Sequence, residues 1–253
     1  MESAFPRDVL AFQGACRTLG GVRAIDALDL RVSRGERVAV VGPSGAGKTT
    51  LLRLAGASLF ASGGEVRVLG EDPAGLPAGK LRALRARVGT IHQQLHLVPQ
   101  ASVLENVLLG RVGTQGVLRL AVAPLLRQDR ERVAALLDRV GLASRIDERV
   151  DRLSGGEQQR VAVARVLWQE PDLVLADEPF SSVDPERSAE VARLLVDAAS
   201  GRTLVVSTHQ IAPLRDLVDR FVGLRAGRVL FDLSRHQLTE ERLAALYRIE
   251  GPT

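Results

Sequence analysis

An α/β fold built on a buried parallel sheet is what the sequence predicts, and three observations predict it. Continuous apolar runs recur at Val38-Ala39-Val40-Val41, Leu173-Val174-Leu175-Ala176 and Thr203-Leu204-Val205-Val206-Ser207, and such runs suit strands covered on both faces. Between about Leu95 and Leu153 strand-like runs are absent and apolar residues repeat at helical spacing, which marks a helical lobe inserted into the sheet domain. The first of the three apolar runs leads into a glycine-rich loop and a helix start. The 253 residues accommodate one large domain carrying such an insertion. Hydrophobic residues at 45% and charged residues at 25% are ordinary for a soluble globular chain, and aromatics at 3% leave Leu, Val and Ala to build the core.

The elements follow in order. Val9-Leu10-Ala11-Phe12 and Leu28-Asp29-Leu30-Arg31-Val32 read as short strands, with a turn at Ser33-Arg34-Gly35-Glu36. The strand at Val38–Val41 then meets Gly42-Pro43-Ser44-Gly45-Ala46-Gly47-Lys48-Thr49-Thr50. The spacing G-x-x-x-x-G-K-T between a strand and a helix is that of a P-loop. Gly42, Gly45 and Gly47 let the backbone curl until successive N–H groups face one anion, and the helix start adds its own unpaired N–H groups. Lys48 supplies a point charge for the β- and γ-phosphates, and the Thr49 hydroxyl can ligate Mg²⁺. Lys48 and Lys80 are the only two lysines, every other basic residue being arginine. A chain that uses Arg nearly everywhere keeps Lys where a compact, flexible ammonium is needed.

Glu65–Leu69 is another strand, ended by a turn at Glu71-Asp72-Pro73, and Val88–Ile91 is a buried strand running into His92-Gln93-Gln94. In the helical lobe Val103, Val107 and Leu108 form one stripe, and Val133, Leu136, Leu137 and Val140 another, stopped by Gly141. Glycines from Gly110 to Gly116 interrupt it with a loop or bent segment. After residue 160 the strand texture returns. Val222 to Leu230, with Ala226-Gly227 in its middle, reads as a late hairpin, and Leu238, Leu243, Leu246 and Tyr247 as a closing helix. No repeat, low-complexity tract or separate C-terminal domain is expected.

Three further stretches carry chemistry. Ser154-Gly155-Gly156-Glu157 opens a helix and reads either as a capping box, Ser154 against Glu157, or as a second anion cradle at a helix N-terminus. Taken alone the two weigh about equally; a P-loop earlier in the chain favours the cradle. Asp177 and Glu178 end an apolar strand, where a ligand crevice opens in a parallel sheet. Asp177 there suits Mg²⁺, usually through water, and Glu178 the polarisation of an attacking water. His209 also follows a buried strand, which favours function over packing. His92 and His96 lack a third ligand and make no zinc site, and Cys16 and Trp168 read as packing residues.

The net charge of +4 comes from arginines spread along the chain, so a solvated mixed surface is favoured over a nucleic-acid or membrane-binding face. No apolar run reaches membrane-span length and no signal peptide is recognisable. The single cysteine, Cys16, excludes an internal disulfide and fits a reducing compartment. A cytoplasmic protein without its own membrane anchor is expected.

The P-loop at 42–50, Gln93 after a strand, LSGGEQQR at 153–160, LVLADEP at 173–179, Ser181-Ser182-Val183-Asp184 and His209 stand in the order found in ABC transporter ATPase subunits. Residues 9 to 230 resemble that family. The resemblance implies a P-loop NTPase (RecA-like) core over about 1–93 and 160–253, an N-terminal antiparallel β subdomain and an inserted helical subdomain over about 94–159. It implies a head-to-tail homodimer, with each ATP between the P-loop of one copy and Ser154, Gly155, Gly156 and Glu157 of the other. Lys48, Thr49 and Thr50 then belong to the P-loop side. Gln93 would reach Mg²⁺ and the water, Asp177 would support Mg²⁺, and Glu178 would be the general base. His209 would hold the γ-phosphate and Asp184 would lie across the dimer interface. The partner implied is an integral membrane permease, and through it a solute-binding protein, with no nucleic acid. The place implied is peripheral, on the cytoplasmic face of the inner (plasma) membrane.

Three departures stand out. Leu19 occupies the position at which these subunits usually set an aromatic ring on the adenine, Glu157 stands where Gln is often found, and His92 stands where Phe often precedes the Gln. The run Val103-Leu104-Glu105-Asn106-Val107-Leu108-Leu109-Gly110 and the ending Glu241–Tyr247, with no regulatory domain expected after it, look most like the phosphonate importer ATPases. The permease is expected to dock at Gln93 and Val98 to Asn106. Other solutes (amino acids, or lipoprotein release) remain the nearest alternative. Further off stand a soluble ABC ATPase acting on DNA or the ribosome, for which no coiled coil or zinc module is visible, and a P-loop kinase or GTPase, which leaves LSGGE unexplained.

Overall fold

The computed structural model describes residues 8–113, 127–181 and 185–248. Its first strands, β1 (Asp8–Leu19) and β2 (Val22–Ser33), turn at Gly20-Gly21 and pair antiparallel, and β4 (Gly63–Val68) pairs with the other edge of β1. Both β1 and β2 are far longer than the apolar runs that announce them. The reason is a set of register shifts, between Phe12 and Ala15 and again around Arg17, that break the alternation of side chains. Side chains patch the irregular backbone there: Asp29 accepts from the Gly14 amide at 2.8 Å, and the Cys16 sulfur from the Ala27 amide at 3.2 Å.

The second sheet has six strands in the order β5-β6-β7-β3-β8-β9. These are β5 (Val88–Ile91), β6 (Leu173–Asp177), β7 (Thr203–Thr208), β3 (Arg37–Val41), β8 (Arg220–Arg225) and β9 (Arg228–Ser234). All pair in parallel except β9, which folds back on β8 through Ala226-Gly227. The P-loop strand β3 therefore sits inside the sheet, between β7 and β8. Its residues alternate between two cores: Ala39 and Val41 pack with the helical side, Val38 and Val40 with the antiparallel sheet. A strand buried on both faces has no polar alternation to show, which is why it reads as a continuous apolar run.

Seven helices among the described residues carry the rest: α1 (Lys48–Ala55), α2 (Ala78–Ala86), α3 (Val103–Leu108), α4 (Arg127–Arg139), α5 (Gly155–Gln169), α6 (Pro185–Ala198) and α7 (Glu240–Tyr247). Helix α2 has no counterpart in the sequence reading, because Leu84 is its single buried residue and no apolar stripe forms. Helix α6 has the stripe, Val191, Ala192, Leu195 and Val196, all buried. Helix α5 runs unbroken from the second candidate cradle to Gln169, so it passes from the helical lobe into the sheet domain.

Candidate functional site

The P-loop is pinched from two sides. A side chain at Gly42 would place its Cβ 2.1 Å from the Leu224 carbonyl oxygen, and one at Gly47 would stand 2.4 Å from that of Ala24. Both glycines are thus required by close backbone approach. Gly227 donates to the Ala46 carbonyl at 2.9 Å, and Asp26 to the Gly227 carbonyl at 3.0 Å, so the last hairpin and the first sheet brace the loop together. Helix α1 begins immediately after Gly47 with no side-chain cap, leaving its first N–H groups for an anion.

The buried Lys48 ammonium donates to the carbonyls of Gly42 (2.8 Å) and Pro43 (3.1 Å) and pairs with Glu178 Oε1 at 3.2 Å. The Thr49 hydroxyl donates to Asp177 Oδ1 at 3.2 Å. Ser207, not singled out in the sequence, joins the Asp177 carboxylate to the Glu178 backbone: its hydroxyl donates to Asp177 Oδ1 at 2.6 Å and accepts from the Glu178 amide at 3.1 Å. Glu178 adopts a left-handed backbone, φ 47°, a conformation uncommon outside glycine. His209 meets it twice, Nδ1 lying 2.7 Å and the amide 3.3 Å from Oε2.

Topology explains this convergence. The P-loop follows β3, Asp177 ends β6 and His209 follows β7, which are neighbouring parallel strands. Their carboxyl ends open on one edge of the sheet, where ligands of such sheets bind. The resulting cavity of about 340 Å³ is lined by Ala24, residues 44–50, Gln93, Glu178, Ser181 and His209. A second cavity, of about 570 Å³, shares Gln93, Glu178 and Ser181 with it and reaches Gly155 and Gln158.

Ser154 to Glu157 do form a capping box. The Ser154 amide and hydroxyl both donate to Glu157 Oε2 at 2.8 Å, and the Ser154 oxygen accepts from the Glu157 amide at 3.4 Å. The Ser154 amide and hydroxyl hold the Glu157 carboxyl below its ordinary value. Gly156 is not explained by the cap, since no atom lies within 4 Å of where its Cβ would stand. Within one chain Ser154, Gly155, Gly156 and Glu157 stay out of the P-loop cavity. Asp184 lies outside the described residues.

Two more groups bear on the site. Arg165, from α5, donates to the carbonyls of Leu95 (2.7 Å) and His96 (2.8 Å) and so fixes the segment that follows Gln93. An arginine inside the otherwise apolar run Val161–Trp168 is the signal that could have found it. Burial lowers the His92 pKa, with His96 and Arg165 adding to the effect against Asp177, and the His92 and His96 rings pack 4.6 Å apart. Burial raises the Tyr247 phenol, Glu178 adding to it and the Gly42 amide opposing. Trp168 is a packing residue, covered by the Arg111 and Arg132 guanidinium groups at 4.4 and 5.1 Å from its ring.

The family pattern described as ABC transporter matches residues 25–181. A protein of Anaeromyxobacter dehalogenans named phosphonates import ATP-binding protein PhnC is 56% identical over 242 residues, 96% of this chain and 49% of that relative. This chain thus spans about half the length of that relative. A Frankia casuarinae protein of the same name is 44% identical over 243 residues, 95% of this chain and 96% of the relative. Among solved structures, cbiO1 from Clostridium perfringens, part of the ABC transporter complex cbiONQ, superposes with a TM-score of 0.79 at 26% identity, over 94% of each chain. The dimeric post-hydrolysis ATP-binding cassette MJ0796, bound to ADP and Pi, gives 0.77 at 29% identity, over 89% of this chain and 98% of that one.

Proposed function

This chain belongs to the ABC transporter family, and we propose that it is the ATP-hydrolysing subunit of a bacterial importer for phosphonates. The observation that carries the proposal is the convergence of Lys48, Thr49, Glu178 and His209 on one cavity at the carboxyl edge of the sheet, with Asp177 hydrogen-bonded to Thr49 beside it. In the chain as it stands, Lys48 and His209 occupy the two oxygens of Glu178. An incoming triphosphate offers Lys48 a better partner than the Gly42 and Pro43 carbonyls. Lys48 moving to phosphate releases Glu178 to take a proton from the attacking water, while the His209 ring turns its donor to the γ-phosphate. Thr49, Asp177 and Gln93 form an all-oxygen donor set suited to a hard cation. Mg²⁺ bound there would neutralise charge on the phosphoryl oxygens.

Dimerisation completes the proposal. Gly156, which packing within the chain does not explain, suits an approach from outside by the partner's nucleotide, with Ser154, Gly155 and Glu157 beside it. Asp184 would meet the partner at the same interface. The dimeric relative MJ0796 supports such a pairing. The permease would dock in a separate groove of about 740 Å³ beside His92. Its walls include Leu52, Leu81, Leu109 and Val112, with Arg53, Arg82 and Arg85 among them. Of the stretch 98–106, Val103, Leu104 and Asn106 are buried in the chain's own fold, while Val98, Pro99, Gln100 and Glu105, like Gln93, are exposed and remain part of the proposed docking surface. A solute-binding protein would act through the permease, and the complex would work on the cytoplasmic face of the membrane.

Glu178→Gln tests the chemistry. ATP hydrolysis is expected to fall by about 10²–10³-fold, the scale of losing a positioned general base, while ATP-dependent dimers persist in size-exclusion chromatography. Full hydrolysis in that variant would remove Glu178 from its role. The cargo is tested by growth with a phosphonate as the sole phosphorus source, which the parent gene should restore to a deletion strain and the variant should not. Unimpaired growth of the deletion strain on phosphonates, with another solute lost, would reassign the importer.

A further inference from the structure

Gln159 carries a buried donor that the chain's own packing leaves unpaired. Its side chain, on α5, is 5% exposed, and its Nε2 has no hydrogen-bond partner among the described residues. The neighbouring Gln158 uses its own amide on the carbonyls of Val150 and Leu153, both at 3.1 Å. A buried N–H without a partner costs free energy and calls for a reason. The cavity of about 570 Å³ offers one, since Gln159 lines it on the side of α5 and the segment Gln93 to Leu97 lines it opposite. Arg165, six residues further along α5, already holds that segment by the Leu95 and His96 carbonyls. His96 has a left-handed backbone, φ 49°, uncommon outside glycine. The segment is thus held at one end, while at the other the Gln93 and Gln94 side chains are exposed. The carboxylates on the cavity wall are engaged elsewhere, Glu178 with Lys48 and His209, and Asp151 with Arg149.

We propose that Gln159 is a positioning residue for Gln93. With nucleotide bound, the cavity narrows and the Gln159 amide donates to a main-chain carbonyl of Gln93 or Gln94. The Gln93 side chain is then fixed toward the Mg²⁺ and the attacking water. Two points of α5 hold one segment in that state, Arg165 at residues 95–96 and Gln159 at 93–94. A donor unpaired in the resting chain and paired in the loaded one favours the loaded arrangement. The inference rests on the reading that the P-loop cavity holds ATP with Gln93 beside it.

The test replaces the donor by an apolar side chain of similar size, as Gln159→Met and Gln159→Leu in the full chain. Removing an unpaired buried donor should raise the Tm of the nucleotide-free protein by about 2–4 °C in at least one of them. Hydrolysis should move the other way, with kcat falling about tenfold and KM for ATP staying within about twofold of the parent's. A glutamine that served packing alone would not separate the two signs. Hydrogen exchange reads the contact without turnover. In a Glu178→Gln background, ATP should slow the amides of residues 92–97, and in the doubly substituted chains it should not. A Tm that rises in neither variant would show that Nε2 is paired in the resting chain. An unchanged kcat, a loss carried by KM, or unchanged protection would show that Gln93 is placed without Gln159. Any of these overturns the inference. A parent chain that neither hydrolyses ATP nor gains protection from it would overturn the P-loop reading itself.

Discussion

Ser207 shows how a single hydroxyl ties together two residues of the proposed catalytic site. It is fully buried at the end of β7, donates to Asp177 and accepts from the Glu178 amide. Removing a buried hydroxyl leaves its partners unsatisfied, at about 1–3 kcal/mol. Ser207→Ala should therefore lower stability by that order in denaturant titration. It should also slow hydrolysis about tenfold, the scale of losing a group that orients a metal-binding carboxylate. An unchanged rate would mean that Asp177 is placed by its strand alone. The residue stands two positions before His209, so the sequence carried it in plain view. What marked His209 was its chemical type, while a serine ending a strand has no such mark until the neighbouring strand is known.

At the scale of elements, the P-loop depends on two hairpins that meet behind it. Asp26 on β2 accepts from Arg23 at 2.8 Å and from Arg228 on β9 at 2.7 Å, and its amide binds the Gly227 carbonyl. The hydrogen bonds from Arg228 and Arg23 hold the Asp26 carboxyl below its ordinary value. A carboxyl depressed in the fold contributes fully above its unfolded pKa, about 3.9, and loses that contribution as pH falls through the lower folded value. Asp26→Asn is thus expected to lower the Tm at pH 7, with the gap to the parent narrowing below about pH 4. Thermal melts across that range check it, and a gap independent of pH would show that the charge does not matter. The β1–β2 hairpin itself is far longer than the apolar runs foretell, because its bulges are patched by Asp29 and Cys16 from across the pair. Such patching is invisible in a run of residues read one strand at a time.

At the scale of the whole molecule, the proposed docking groove reaches the proposed nucleotide edge at Asp177. Asp177 and His92 both line the groove beside Arg53, Arg82, Arg85 and Arg165, and among the described residues no carboxylate forms an ion pair with any of those four arginines. An apolar floor with a basic rim suits an amphipathic segment carrying acidic side chains. Arg53→Glu with Arg82→Glu should reduce solute uptake by about tenfold or more through like-charge repulsion, with the Kd for ATP left within about twofold. Parallel loss of nucleotide affinity would place those arginines in the ATP site instead of at the permease.

The P-loop, the paired carboxylates and the candidate cradle at Ser154 were determined by sequence alone. Their chemistry lives in consecutive residues, and a glycine spacing or a strand ending in two acids needs no distant partner to be read. The buried strands β3, β5, β6 and β7 were legible for a similar reason, since burial on both faces leaves an uninterrupted apolar run. Tertiary structure decided which ends meet. It put β6, β7 and β3 side by side, so that residues 48, 178 and 209 share one cavity. It brought Leu224 and Ala24 against the two glycines that pinch the loop. Pairing order and register arise from contacts between residues far apart in the chain, and no local pattern encodes them.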